Sequence, residues 1–164
     1  MGTRGLYGFR TKGEDYLTFS PSDSYPDGLG QFWFDTCKSI KSKGLTKDLA
    51  EKLSNTNNFV IEEGKYNELV GKLAEHLNVT KQSAEEYIHR YENFLKEDEF
   101  SVFNEIIQGN MNVFLNDKEF KKNGLFCEWC YIYDLDKDMF LISGRHSADL
   151  DLTLKDWQEF LKMV

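Results

Sequence analysis

Three consecutive pieces of sequence, LFCEWCYIYDL (125–135), DKD (136–138) and MFLIS (139–143), decide the fold class. Both flanking runs are rich in aromatic and β-branched residues, and the charged triplet between them is turn chemistry, so the segment predicts an antiparallel hairpin. Beyond it, Leu154, Trp157, Phe160 and Leu161 recur at helical spacing and predict a terminal amphipathic helix. At the other end of the chain, residues 4–11 and 15–20 predict a second hairpin. There Tyr7, Phe9 and Thr11 alternate with Leu6, Gly8 and Arg10, and Lys12, Gly13 and Glu14 supply the turn.

The sequence between the two hairpins reads as helical. Ser20 to Gly28 is a dense run of loop formers, followed by a helix over about 29–41 with Phe32, Trp33, Thr36 and Ile40 on one stripe. Thr46 is placed to cap a short helix carrying Leu49, Ala50 and Leu53. Phe59 to Ile61 reads as a brief strand or a buried link. Tyr66, Leu69, Val70, Leu73 and Leu77 make the next stripe, and Thr80 caps a long helix with Ala84, Tyr87, Ile88, Tyr91 and Leu95 inward. Another helix begins near Asp98 and stops at Gly109, and 111–122 is expected to be a short helix. Two strands, several helices, two strands and a helix predict an α+β fold: an antiparallel sheet of about four or more strands, packed with helices.

Composition narrows the class further. The 164 residues suit one domain spanning 1–164, with 40% hydrophobic residues available for a core. A formal charge of −8 opposes duplex nucleic acid and anionic membrane surfaces as partners. No run approaches the roughly 20 apolar residues of a bilayer span, and no secretory signal is expected at the opening. An odd cysteine count argues against a disulfide framework and for a reducing, intracellular setting.

Several motifs look like chemistry. Cys127 and Cys130 form a C-x-x-C, but mid-strand, where residues three apart point to opposite faces, and without the second pair that zinc needs. Asp134, Asp136 and Asp138 resemble the start of a calcium loop, yet Met139 stands where its glycine belongs and Arg145 where its last acid belongs. His76, His89 and His146 share no ligand spacing. Neither a metal nor a cofactor is expected.

One constellation stays open. The first strand places Arg4, Leu6, Gly8 and Arg10 on one face, with bare backbone at Gly8 between two guanidiniums. The loop that follows carries Asp23, Tyr25 and Asp27 and ends at the glycine-flanked helix start Gly28 to Gly30, where free amides favour an anion. These are parts of a polar pocket, and equally the parts of a capped turn. Thr3 serves as an N-terminal nucleophile only after loss of Met1 and Gly2, so it is grouped with the pocket instead.

The segments MGTRG (1–5), Asp23-x-Tyr25-Pro26-x-Gly28-x-Gly30, Gln108-Gly109 and LFCEW (125–129), followed by Tyr131 and Asp134 to Asp136, occur in that order. As a set, the sequence resembles a largely uncharacterised family of bacteriophages and bacterial mobile elements. Where that family often has an imidazole or indole before the Asp and a glycine after it, this chain has Pro21, Ser22 and Ser24, so no such role is carried over. The resemblance implies a small accessory protein in the cytoplasm of an infected bacterial host, of the kind that counters host immunity by sequestering or degrading nucleotide-derived signals.

Three functions follow as expectations. The first is a binding module for a small nucleotide-like anion, held by Thr3, Arg4, Asp23, Tyr25, Gly28, Gly30, Glu128 and Trp129, with Trp129 or Tyr25 stacking on a base. The second is a hydrolase or phosphodiesterase using Asp23 and Glu128 as acid and base and Arg4 to stabilise charge, which requires both carboxyls to face one cavity. The third is an acidic inhibitor of a host protein. A homodimer is left open.

Overall fold

A computed structural model describes residues 3–122, 127–144 and 147–152. Both hairpins form. β1 (Gly5–Thr11) and β2 (Glu14–Ser20) pair antiparallel, joined through Lys12 and Gly13, whose φ of 53° and 76° make the tight turn that matches strand twist. β5 (Trp129–Asp134) and β6 (Met139–Gly144) form the second hairpin, and β7 (Ser147–Leu152) adds an antiparallel strand that the sequence reading did not anticipate. The expected terminal helix at 154–161 lies outside the described residues.

The sheet is mixed, not wholly antiparallel. Its order is β2-β1-β5-β6-β7, and the two hairpins meet through their first strands, β1 and β5, which run parallel from Gly5 opposite Trp129 to Arg10 opposite Asp134. A parallel junction needs a long crossover. The helical middle of the chain supplies it.

That middle comprises α1 (Gln31–Ser42), α2 (Thr46–Ser54), α3 (Tyr66–Leu77), α4 (Lys81–Glu97) and α5 (Ser101–Ile107). Thr80 caps α4 as expected, its hydroxyl accepting the Ser83 N–H at 3.1 Å. Thr46 does not cap α2: it is the first helical residue, Leu45 precedes it, and no side chain caps that end. In α1 the buried stripe is Trp33, Phe34, Cys37 and Ile40, so Phe32 and Thr36 face outward. The Trp33 indole N–H donates to the Gly8 carbonyl at 3.0 Å, and this bond fixes which side of α1 meets the sheet.

Residues 111–122 are not a helix. β4 (Val113–Asn116) is buried throughout and pairs in parallel with β3 (Asn57–Val60), and a 3-10 turn follows at Lys118–Lys122. A short apolar run bounded by polar residues fits a buried strand as well as a helix, and here tertiary pairing decides. The large core lies between the helices and one sheet face, taking Tyr7, Phe9, Tyr131, Tyr133 and Phe140 from the strands and Trp33 and Phe103 from the helices. A smaller cluster of Leu6, Leu17, Cys130 and Ile132 fills the other face.

Candidate functional site

Local geometry explains much of the Asp23-to-Gly30 motif. Asp23 sits in the left-handed region at φ 57°, and its carbonyl accepts the Leu29 N–H at 2.9 Å. The Tyr25 carbonyl accepts the Gly28 and Gly30 N–H groups at 3.0 and 3.2 Å, closing a single π-helical turn, Pro26–Gly30, that runs into α1. A Cβ on Gly28 would lie 2.6 Å from the Asp23 carbonyl oxygen and 2.8 Å from its Oδ1, so no larger residue fits. The amides offered to an anion by the sequence reading are therefore already bonded to the loop's own carbonyls. Asp23 and Gly28 shape the turn, and Tyr25 stands 53% exposed beside it.

The separated motifs do meet, but through Ser24. The Tyr131 hydroxyl donates to the Ser24 carbonyl at 2.8 Å. A Cβ on Gly5 would lie 2.6 Å from the Trp129 carbonyl oxygen and 2.9 Å from the Ser24 Cβ, so the loop is pinned against the first residues of β1 and β5. Beside this junction the Glu128 N–H donates to the Arg4 carbonyl at 3.0 Å, and Thr3 is buried. The Trp129 and Tyr131 rings lie parallel at 6.2 Å. Thr3, Arg4, Glu128 and Trp129 thus gather at one end of the central strands.

The gap imagined at Gly8 is filled. A Cβ there would come within 1.9 Å of the Tyr16 carbonyl oxygen, because β2 crosses tightly over it. Arg10 is engaged by Asp15 across the strands, at 2.5 and 3.1 Å. Cys127 and Cys130 do not point to opposite faces: both pack in the smaller cluster, since Cys127 precedes the regular part of β5. Burial pushes their thiols up to about 11 and about 12, which leaves almost no thiolate at neutral pH. The three aspartates of the second hairpin are structural. Asp134 accepts the Asp136 and Lys137 N–H groups, and Asp138 takes the Tyr133 hydroxyl and Lys41. Asp136 accepts the Lys12 N–H and Thr11 hydroxyl, tying the two turns together. No group of acids, histidines and cysteines among the described residues could hold a metal ion.

A cavity of about 710 Å³ opens between the loop after β2 and helix α4. Of the residues singled out by sequence, it is lined by Asp23; Arg4, Glu128 and Trp129 are not part of its wall. Its walls are apolar and aromatic, with Tyr7, Phe19, Tyr91 and Leu95, and its polar groups include Glu92, Glu99, Lys96 and Asp117. Asp117 follows β4 directly. One of its carboxyl oxygens accepts the Phe19 N–H at 3.0 Å, so it continues the edge of β2 that Asn116 begins by accepting the Leu17 N–H at 3.1 Å. Removal from water pushes the Asp117 carboxyl up from 3.8 to about 7; the Phe19 N–H opposes the shift and the charge of Glu92 adds to it. Tyr91 is buried, and its hydroxyl oxygen accepts the Leu115 N–H at 3.1 Å. The Tyr7 hydroxyl donates to the Glu99 carbonyl at 3.0 Å.

Sequence reasoning placed Tyr91 and Leu95 on the buried stripe of α4 but missed that part of that stripe faces a hollow. Asp117 was missed entirely because 111–122 was read as helical. The signal was the pair Asn116-Asp117 immediately after an apolar run, two polar side chains at the end of a buried strand. Among the described residues no helix is long and apolar enough to cross a membrane. Set against protein-family models, curated proteins and solved structures, the chain matches none of them.

Proposed function

We propose that the protein is a binding module that captures a small nucleotide-derived ligand, base first, in the cavity between the loop after β2 and α4, and releases it unchanged. One observation carries the reading: a hollow of about 710 Å³, within the range of small-molecule sites, has aromatic and apolar walls and a half-buried carboxyl at Asp117. The phosphate contacts expected from Arg4 and the Gly28–Gly30 amides do not enter this reading, since those amides are bonded internally and Arg4 is not in the wall. Asp23, Glu92, Glu99 and Asp117 outnumber Lys96, so phosphates stay at the mouth and the uncharged base goes inward. The setting implied by the family resemblance, an accessory protein of a phage or mobile element that withdraws a host immune signal, gives capture a biological purpose.

The hydrolase reading has less support. It required Asp23 and Glu128 to share a cavity, and Asp23 lines this one while Glu128 does not. A thermal-shift screen with nucleosides, mononucleotides, cyclic nucleotides and ADP-ribose derivatives, followed by mass analysis of each stabilising compound, separates the two. Capture predicts stabilisation of about 2.7 kcal/mol at a hundredfold excess over Kd, with the compound recovered intact. A cleaved product would install the hydrolase, and a flat screen would remove both.

A further inference from the structure

Asp117 raises a question that its structural role does not answer. Its bond to the Phe19 N–H extends the edge of β2, but the preceding residue performs the same service for Leu17 with a neutral amide. An amide at position 117 would make the same bond without placing a half-buried ionisable group in the wall that Tyr7, Tyr91 and Glu92 share. Among the described residues the Phe19 N–H is the one hydrogen bond received by the Asp117 carboxyl, which leaves its other oxygen for the cavity. Tyr91 adds to this: its oxygen is occupied by the Leu115 N–H, while no acceptor among the described residues takes its hydroxyl hydrogen.

The charged groups around Asp117 set its state. α4 contributes Glu92, Lys96 and the phenol of Tyr91; the turn after α4 contributes Glu99; β1 contributes Tyr7, and the loop after β2 contributes Asp23. Acids dominate that set, and burial acts in the same direction, so both favour the neutral acid over the carboxylate. In the neutral acid the oxygen that accepts the Phe19 N–H is the carbonyl oxygen, with its second lone pair still open, and the other oxygen carries the hydroxyl, so the group presents one donor beside one acceptor. The complementary ligand edge has an acceptor next to a donor, as in the ring nitrogen and amino group of adenine or cytosine. The edge of guanine that presents two adjacent donors suits the carboxylate instead.

We propose that Asp117, set in the cavity wall with one carboxyl oxygen tied to the Phe19 N–H, is the specificity-determining residue of the cavity, and that it selects a ligand bearing an amino-substituted nitrogen heterocycle of the adenine or cytosine type. This rests on the capture reading above. Binding then requires the protonated residue, and the apparent affinity scales with the fraction of protein in that state. With half-protonation near neutrality, affinity falls about tenfold from pH 6 to pH 8.

Calorimetric titration of the whole chain with adenosine, cytidine and guanosine at pH 6 and pH 8 tests the assignment. Nucleosides are chosen because a phosphate ester itself titrates near pH 6 and would confuse the profile. The expected result is adenosine or cytidine binding about tenfold tighter at pH 6, with guanosine gaining nothing on acidification. Asp117→Asn, which keeps a donor beside an acceptor, retains binding and flattens the pH dependence, whereas Asp117→Ala loses binding. A merely structural aspartate would leave the pH profile of the Asn variant unchanged from the parent. Binding that is pH-independent, tighter at pH 8, or lost in Asp117→Asn overturns this assignment and leaves capture standing. No heat and no thermal shift with any nucleoside at either pH overturns both.

Discussion

Replacing Asp117 by Asn has a consequence for stability that needs no ligand. In the folded protein its carboxyl titrates near 7, against 3.8 when solvated, so between those values the native state binds more protons than the unfolded chain. Stability therefore falls as pH rises through that window, and the full penalty is present above about pH 7. A displacement of about three units at 1.36 kcal/mol each sets a ceiling of about 4 kcal/mol. Asn keeps the bond to the Phe19 N–H but gives up the strength that a charged acceptor adds, so the net gain at pH 8 is about 1–3 kcal/mol. At pH 4 the gain shrinks toward zero. In a chain of this size each kcal/mol moves Tm by about 2–4 °C, so the variant should melt roughly 2–12 °C higher at pH 8. Urea unfolding at both pH values measures the difference directly. A variant no more stable than the parent at pH 8, or equally shifted at both, would refute the claim that a half-buried carboxyl with a raised proton affinity lines the cavity.

Three further outcomes are expected. Gly8→Ala pushes a Cβ into the Tyr16 carbonyl at 1.9 Å and should cost about 2 kcal/mol or more in denaturant unfolding by prising β2 from β1. Trp33→Phe keeps an aromatic ring in the core but leaves the Gly8 carbonyl without its indole donor; a loss of about 1–3 kcal/mol is expected, and a change below the error of a urea titration would contradict the bond. Labelling of Cys127 by a disulfide reagent at pH 8 should run about two orders of magnitude slower than for a free thiol, since burial holds the group near 11, and Cys130 and Cys37 should label only on unfolding.

The Asp117 acid also accounts for a tension between fold and function. A group that weakens the fold at neutral pH, in a position where an amide would serve the strand and on the proposal above would still bind, is the pattern expected where the pH dependence of binding sets the residue type. The cavity owes its shape to the same economy of elements. Asn116 and Asp117 cap the outer edge of β2, and of the two Asp117 also lines the hollow, together with the loop from Ser20 to Asp23 and with α4, so one residue serves both the edge and the cavity.

The sequence by itself determined the two hairpins, the helical middle and the cap at Thr80. Alternation, turn chemistry and ligand spacing are local properties, and each is readable within a dozen residues. Tertiary structure decided the rest. The parallel contact of β1 with β5 joins residues more than a hundred positions apart, and no periodicity reports which strands become neighbours. Val113 to Asn116 became a strand because β3 stood ready to pair with it. The Gly28–Gly30 amides became unavailable because the Asp23 and Tyr25 carbonyls curl back on them. The Asp117 carboxyl is pushed up because elements that lie apart in sequence, among them β1, α4 and the loop after β2, converge around it and hold back water. Burial and charge at a point in space depend on every segment that converges there, and a linear sequence records only which of them are neighbours along the chain.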